Sequence, residues 1–254
     1  SAGAIALARA AADLRLSYRS RPREVRLVVG ATGGSSARTR PSHKSEVRVI
    51  IVPDDPGAAG QDEVLKASVL KVFDGDGFLA NVWHPFRETW VERIPFRFAF
   101  IDAPEMGQPC GRESRDFLAG LIAGKELRLD PVGKESTGYM PIDPYKRLLC
   151  VGFLTEQMEA GRIDYYHQGK CGSGLVKRPR PVTRNIELEM VVNGWAWVVE
   201  QYSFEREEEY FEAQEEAQRN RRGLWQMDNP EPPWSFKRRQ RRHRQSSRAQ
   251  GQLL

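Results

Sequence analysis

The sequence predicts an α+β chain that is mainly a small, closed, highly twisted β-barrel with helices packed around it. Three observations predict it. Five short segments alternate apolar and polar residues with the period of two that places one face of a strand on a core. Asp74-Gly75-Asp76-Gly77 joins the first two, and Asp-Gly is the strongest short hairpin signal. Three stretches of helical period, with recognisable starts and stops, lie among and after these strands.

The elements follow in order. Residues 64–73 form the first strand, 74–77 the turn and 78–83 the return strand, with a loop over 84–89. Residues 90–101 form the third strand, with Ile94, Phe96, Phe98 and Phe100 on one face and Arg93, Pro95, Arg97 and Ala99 on the other. Pro104 removes a backbone donor and biases Ala103 toward extended geometry, so this strand ends at Asp102-Ala103-Pro104-Glu105. Residues 111–124 read as an amphipathic helix with Phe117, Leu118, Leu121 and Ile122 on one face, stopped at Gly124. A fourth strand covers 126–132, a loop 133–144 and a fifth strand 145–154. Residues 155–184, rich in Gly, Lys and Arg, are an insertion or surface hairpin. A helix over 185–193 ends at Gly194, an apolar segment covers 195–199, and Ser203 caps a long helix over 204–222. That helix begins acidic and ends basic, which matches its macrodipole. Trp225 then turns back onto the body.

The 254 residues, 40% hydrophobic and 29% charged, suit one soluble domain, here 62–228, with extra segments. No apolar run approaches the ~18 residues of a membrane helix. The net charge is +5, but it is unevenly placed. Residues 1–61 hold ten Lys/Arg against five Asp/Glu, and from Lys237 onward there are seven Lys/Arg and no acid, so the body between is net acidic. An anion site in the body must therefore be built locally. The basic ends are expected to solubilise, or to hold nucleic acid through salt-sensitive phosphate contacts. Residues 229–254 read as a disordered basic tail. In residues 1–61 a helix over 2–16, a linker over 33–45 and a strand over 46–52 are the readable pieces, and their order is left open. No intact signal peptide is visible, because Arg9 interrupts the alanine-rich start. Cys110, Cys150 and Cys171 form no CxxC pair. Cys150 reads as a small core residue, a Cys110–Cys171 bridge stays open, and the spacing of His167 and Cys171 matches no common zinc pattern.

The chemistry concentrates at three acidic turns and two arginines: Asp74 and Asp76 in the first hairpin, Arg97 on the third strand, Asp102 and Glu105 where it ends, and Arg147 after Asp143, Tyr145 and Lys146. Taken singly these are ordinary hairpin and surface residues, and Arg147 alone reads as a weak surface ion pair. Together they supply hard oxygens for a divalent cation and two planar forks for a phosphate.

The motifs DGDG at 74–77, RFAFIDAPE at 97–105, DPYKR at 143–147, NIELEMVVNGWAWV at 185–198 and GLW at 223–225, in this order, resemble the staphylococcal nuclease (thermonuclease) family over roughly 64–226. The resemblance implies an OB-type five-stranded barrel with about three helices and a calcium-dependent hydrolase of DNA or RNA phosphodiesters with low sequence specificity. Carried over by position, Asp76, Asp102 and the backbone carbonyl of Ala103 bind Ca2+. Glu105 positions or deprotonates the attacking water, and Arg97 and Arg147 grip the phosphate. Tyr145, Lys146 and Tyr202 fall beside the nucleotide. The family is often exported, which favours a secreted or periplasmic compartment, and a monomer is expected. The chain departs from the family pattern at Gly77, where Thr is usual, at Lys146, where Gly is usual, and at Pro144, where the prototype uses a lysine. In the 155–184 insertion Lys170, Lys177, Arg178 and Arg180 either extend the substrate groove or form a solvated hairpin. The alternative function is a non-catalytic OB-type nucleic-acid-binding module, since nuclease-like domains of Tudor-containing relatives have lost catalytic residues. A weaker third reading is an interaction scaffold using the acidic helix and basic tails.

Overall fold

A computed structural model describes residues 49–54, 65–84, 88–132, 142–201 and 203–251, with side chains to 245. The helix expected over 2–16, the linker over 33–45, most of the 133–144 loop and Tyr202 lie outside these residues. In chain order the strands are β1 (Ile50–Ile51), β2 (Leu65–Val72), β3 (Gly77–His84), β4 (Thr89–Phe98), β5 (Ile101–Asp102), β6 (Glu126–Pro131), β7 (Leu148–Met158), β8 (Gly161–His167), β9 (Lys170–Val176), β10 (Arg180–Asn185) and β11 (Trp197–Val198). The helices are α1 (Gly111–Ile122), α2 (Ile186–Val192), α3 (Glu207–Arg219) and α4 (Pro233–Gly251), with a 3-10 turn at Gly223–Gln226.

Five strands close the barrel in the order β7-β4-β3-β2-β6, with β6 returning to β7. The closure depends on the length of β7. Its residues Leu148–Cys150 run parallel to β4, Cys150–Phe153 pair with β6, and Phe153–Met158 pair with β10. The interior is filled by alternate residues, with Phe78, Phe96, Phe98, Leu127 and Leu129 fully buried. Phe78 stacks on Phe96 at 5.5 Å and tilts on Phe98 at 5.4 Å. Each such burial contributes about 1.5–3 kcal/mol before the entropy of ordering is subtracted.

The third strand is shorter than its alternation predicts. Phe98 donates its amide to Asp76 O and Ala99 donates to Cys150 O, and the chain then bends. Phe100 leaves the barrel face and stacks on Phe204 at 4.0 Å, while Ile101–Asp102 form β5 against β11. β4 lies between β3 and β7, so Arg97 does not stand on a sheet edge.

α1 carries the expected buried face through Leu118, Leu121 and Ile122, and Phe117 packs on Trp195 at 5.9 Å. α2 is buried all round, Glu187 and Glu189 included, and Asn185 caps it by accepting from the Leu188 amide at 3.0 Å. α3 starts three residues later than expected. Ser203 is not its cap; Arg206 takes the left-handed conformation and Glu207 accepts from the Phe204 amide instead. Trp225 docks on Trp197 at 5.3 Å, as expected.

Three peripheral segments go beyond the sequence reading or differ from it. Residues 49–54 belong to the packed body: Asn193 exchanges hydrogen bonds with Ile50, the Val52 amide donates to Glu189, and Ile50 and Val52 join the core. The 155–184 segment is not a single surface hairpin. Its ends extend β7 and form β10, and only β8 and β9 make the hairpin, which inserts the fully buried Tyr166 toward α3 with its hydroxyl donating to Glu209 O. Where a disordered tail was expected, Pro233 opens α4. Pro233 and Phe236 are buried, so a few anchoring side chains hold a helix that mean composition marks as solvated.

Candidate active site

Sheet register builds the site. Gly77 on β3 pairs with Arg97 on β4, and Arg97 pairs with Leu149 on β7. The turn before β3 and the turn before β7 are thereby set on either side of Arg97. The bend after β4 adds the fourth component. Five residues of straight strand would span ~16 Å, yet Arg97 Nη2 lies 2.7 Å from Asp102 Oδ1 because the chain doubles back at Ala99–Phe100.

Arg97 Nη2 also lies 2.9 Å from Asp76 Oδ2, so one guanidinium spans two carboxylates. Asp76 Oδ2 additionally accepts from the Ala103 amide at 3.0 Å, which ties the hairpin to the β5 turn. Arg147 Nη1 reaches 4.0 Å from both Asp76 Oδ1 and Asp74 Oδ2. Its Nε donates to Asp143 Oδ2 at 2.7 Å, while Asp143 Oδ1 accepts the amides of Tyr145 and Arg147. Gly77 gives Arg147 room, since a Cβ there would meet Asp74 Oδ1 at 2.7 Å and Arg147 Nη1 at 3.2 Å.

Glu105 follows β5 in a turn braced by Gln108, whose amide donates to Glu105 O and whose Oε1 accepts from the Glu105 amide. Gly111 is needed behind that turn, because a Cβ would lie 2.0 Å from Glu105 O. The Lys237 ammonium of α4 lies 2.9 Å from Glu105 Oε1 and 3.0 Å from Asp102 Oδ1. Gln108 Nε2 donates to Glu231 O and fastens the approach to α4 to the same turn. A cleft of about 520 Å³ opens beside Arg97 and Asp102, walled by Asp143, Pro144, Val199 and Trp234.

Burial drives the Asp76 carboxyl well above the usual carboxylate range; Arg97 opposes this, while Asp74 and Asp102 add to it. Burial works against the Arg97 guanidinium, but Asp76 and Asp102 outweigh it and raise its pKa. Lys237 behaves alike: burial lowers it, and Asp102 and Glu105 prevail and raise it. Beneath the bend, Glu187 accepts from the Phe100 amide at 2.5 Å and from Tyr210, and burial pushes its carboxyl up to about 8.

The structure thus brings Asp76, Arg97, Asp102, Glu105 and Arg147 into one cluster. Ala103 meets it through its amide. Tyr145 is 73% exposed, with Arg147 5.5 Å over its ring. Lys146 is exposed and held at φ 65°, a conformation that favours glycine. Lys170, Lys177, Arg178 and Arg180 are exposed, and the register pairs Arg180 with Met158, at the opposite end of β7 from Arg147. Arg180 therefore does not border this groove. Sequence reasoning named Asp143 without giving it a role, and missed Gln108, Glu187 and Lys237. Asp143-Pro144 carried a signal, because Asp commonly accepts amides two residues on in a turn. Lys237 carried none, being one cation in a run. The cysteines are free: Cys150 is buried, and Cys171 accepts from Arg222.

The donor set suits a hard divalent cation. Asp76 Oδ1 is buried and accepts no hydrogen bond, with only the Arg147 guanidinium 4.0 Å away. Among the described residues no three His, Cys, Asp or Glu side chains converge as a ready cage. A cation held here must complete its shell with backbone, water or substrate oxygens.

Fold and site define a class: an OB-like barrel with a buried carboxylate–guanidinium cluster at one end. A family model described as staphylococcal nuclease homologue matches residues 95–227. The chain is 33% identical over 173 residues to an uncharacterized endonuclease of Haemophilus influenzae, covering 68% of this chain and 73% of that protein. It is 30% identical over 175 residues to the micrococcal nuclease of Shigella flexneri, covering 68% and 80% respectively. A probable staphylococcal-like nuclease of Oryza sativa is 29% identical over 156 residues, 61% of this chain and 24% of that one. The chain belongs to the staphylococcal nuclease family. The matched region begins at Pro95 and omits Asp76, which the β3–β4 register returns to the site.

Proposed function

We propose that this protein is a nuclease that hydrolyses phosphodiester bonds of DNA or RNA with little sequence preference and depends on calcium. The observation that carries the reading is the placement of two guanidinium groups, Arg97 and Arg147, on either side of the buried Asp76. A pure binding surface has no need to bury carboxylates among its phosphate-binding cations.

In this reading Arg97 and Arg147 hold the scissile phosphate, and their planar forks match the charge that grows on its equatorial oxygens. Asp143 keeps the Arg147 fork aimed inward. Asp76 and Asp102 hold the cation, with the Ala103 carbonyl as a further oxygen. When bound, the ion supplies positive charge to the phosphoryl oxygens. Glu105 orients the attacking water and takes its proton. Tyr145 and Lys146 lie along the nucleotide, with Trp234 and Pro144 as apolar walls for a base. The exposed Arg238, Arg241, Arg242 and Arg244 of α4 add phosphate contacts without sequence preference. No helix among the described residues is long and apolar enough to cross a membrane. The protein acts as a monomer in this reading.

The test is incubation of supercoiled plasmid and of RNA with the full chain in calcium, magnesium or excess chelator. Cleavage in calcium and none in chelator is expected. Gel-shift binding without product in calcium would instead favour the non-catalytic module.

A further inference from the structure

We infer that Lys237 is a built-in competitor for the divalent cation, seated on Asp102 and Glu105 and setting the cation concentration at which the site loads. The inference rests on the nuclease reading above and concerns a residue outside the family-matched region.

The geometry is specific. The ammonium bridges Asp102 Oδ1 at 3.0 Å and Glu105 Oε1 at 2.9 Å. These are the carboxylates read as cation ligand and as base. A divalent ion on Asp102 needs oxygen contacts of about 2.3–2.6 Å. Arg97 already contacts the same Asp102 Oδ1 at 2.7 Å. Both contacts fall on Asp102 Oδ1, so a divalent ion that takes that oxygen competes with the two cations present, and Arg97 is the better fixed, because Asp76 and Asp102 both grip it within a strand. Lys237 is the group that can leave, since its side chain is one-third exposed and ends a flexible stem.

Lys237 is nevertheless delivered to the site, not merely near it. Phe236 is buried, Gln108 fastens the chain at Glu231, and Arg239 pairs with Glu231 at 2.7 Å while lying 5.0 Å over the Phe236 ring. The first turn of α4 is therefore docked, and the ammonium acts as a tethered ligand at high effective concentration. Occupancy by Lys237 neutralises part of the carboxylate charge and engages Glu105, so the site is held closed until a divalent ion or a substrate phosphate draws the lysine away. A lysine that only oriented Glu105 would behave in the opposite sense, because its removal would leave cation affinity unchanged or lower it.

The test is calcium titration by calorimetry on the full chain, on Lys237→Met, which keeps the stem and removes the charge, and on Lys237→Arg, which keeps the charge. Circular dichroism confirms that each is folded, and plasmid cleavage is run in parallel. Lys237→Met is expected to bind calcium roughly tenfold more tightly or better, the loss of two charge-assisted contacts, with Lys237→Arg close to the parent. Equal or weaker binding by Lys237→Met, with the parent still cleaving in calcium, overturns the inference alone. Absence of both calcium binding and cleavage from all three proteins overturns the nuclease reading and the inference with it.

Discussion

Asp143 grips Arg147 twice: its Oδ2 accepts from the Arg147 side chain at 2.7 Å and its Oδ1 accepts from the Arg147 amide at 2.9 Å. The first bond aims the guanidinium toward Asp76 and the second fixes the turn that carries it. Asp143→Ala is expected to lower single-turnover cleavage by about 10–100-fold, because small misplacements of a catalytic group cost up to that much. The melting temperature should change little. An unchanged rate would show that Arg147 needs no such brace.

Removing the arginines themselves should separate catalysis from stability. Arg147→Lys and Glu105→Gln leave no buried charge stranded, so each should lose roughly 10²–10³-fold in turnover while melting like the parent. Arg97→Met strips Asp76 and Asp102 of their shared partner, and breaking such a buried pair costs about 3–5 kcal/mol. It should lose both activity and several degrees of melting temperature. Paired kinetics and thermal melts check the contrast.

The buried Glu187 predicts a pH dependence of stability. Burial raises its folded pKa from the ordinary glutamate value of 4.5 to about 8, against hydrogen bonds from Phe100 and Tyr210 and the pull of Arg97. The folded state therefore holds this proton more tightly than the unfolded chain. The associated stability is fully present below about pH 4.5 and is lost as pH rises through about 8. Asp76, also raised, acts in the same sense. Glu187→Gln should flatten the fall in melting temperature between pH 5 and pH 9. An equally steep fall in the variant would refute the assignment.

The arginines of α4 predict a salt signature. Replacing Arg241, Arg242 and Arg244 with alanine should weaken nucleic-acid binding uniformly across sequences. It should also reduce the slope of log affinity against log salt by up to about one per lost phosphate contact. Binding titrations from 50 to 200 mM salt would detect it. An unchanged slope would return this helix to a solubilising role.

Much of the barrel was legible along the chain because its signals are local. Alternation in β2, β3, β4 and β6 shows which face is buried, Asp-Gly marks the first hairpin, and Gly124 and Gly194 stop helices by left-handed geometry. The chemical types at Asp76, Arg97, Asp102, Glu105 and Arg147 were legible for the same reason, since each sits at the end of a readable strand or turn. What failed was cap detail and edges. Ser203 lost to Arg206 at α3, and Phe100 left its alternation where neighbouring hydrogen bonds bent the strand.

By itself, then, the sequence determined the barrel strands, the residue types of the site and their order, because period, turn chemistry and charge are properties of neighbours in the chain. Tertiary structure alone decided that Arg97 spans Asp76 and Asp102, that residues 50–52 complete the core, that Arg180 stands at the far end of β7 from Arg147, and that Lys237 lies on Asp102 and Glu105. Each of these joins residues that are distant in the chain or separated by a bend. Register, closure and helix docking set such contacts, and none of these leaves a local trace in the residues it brings together.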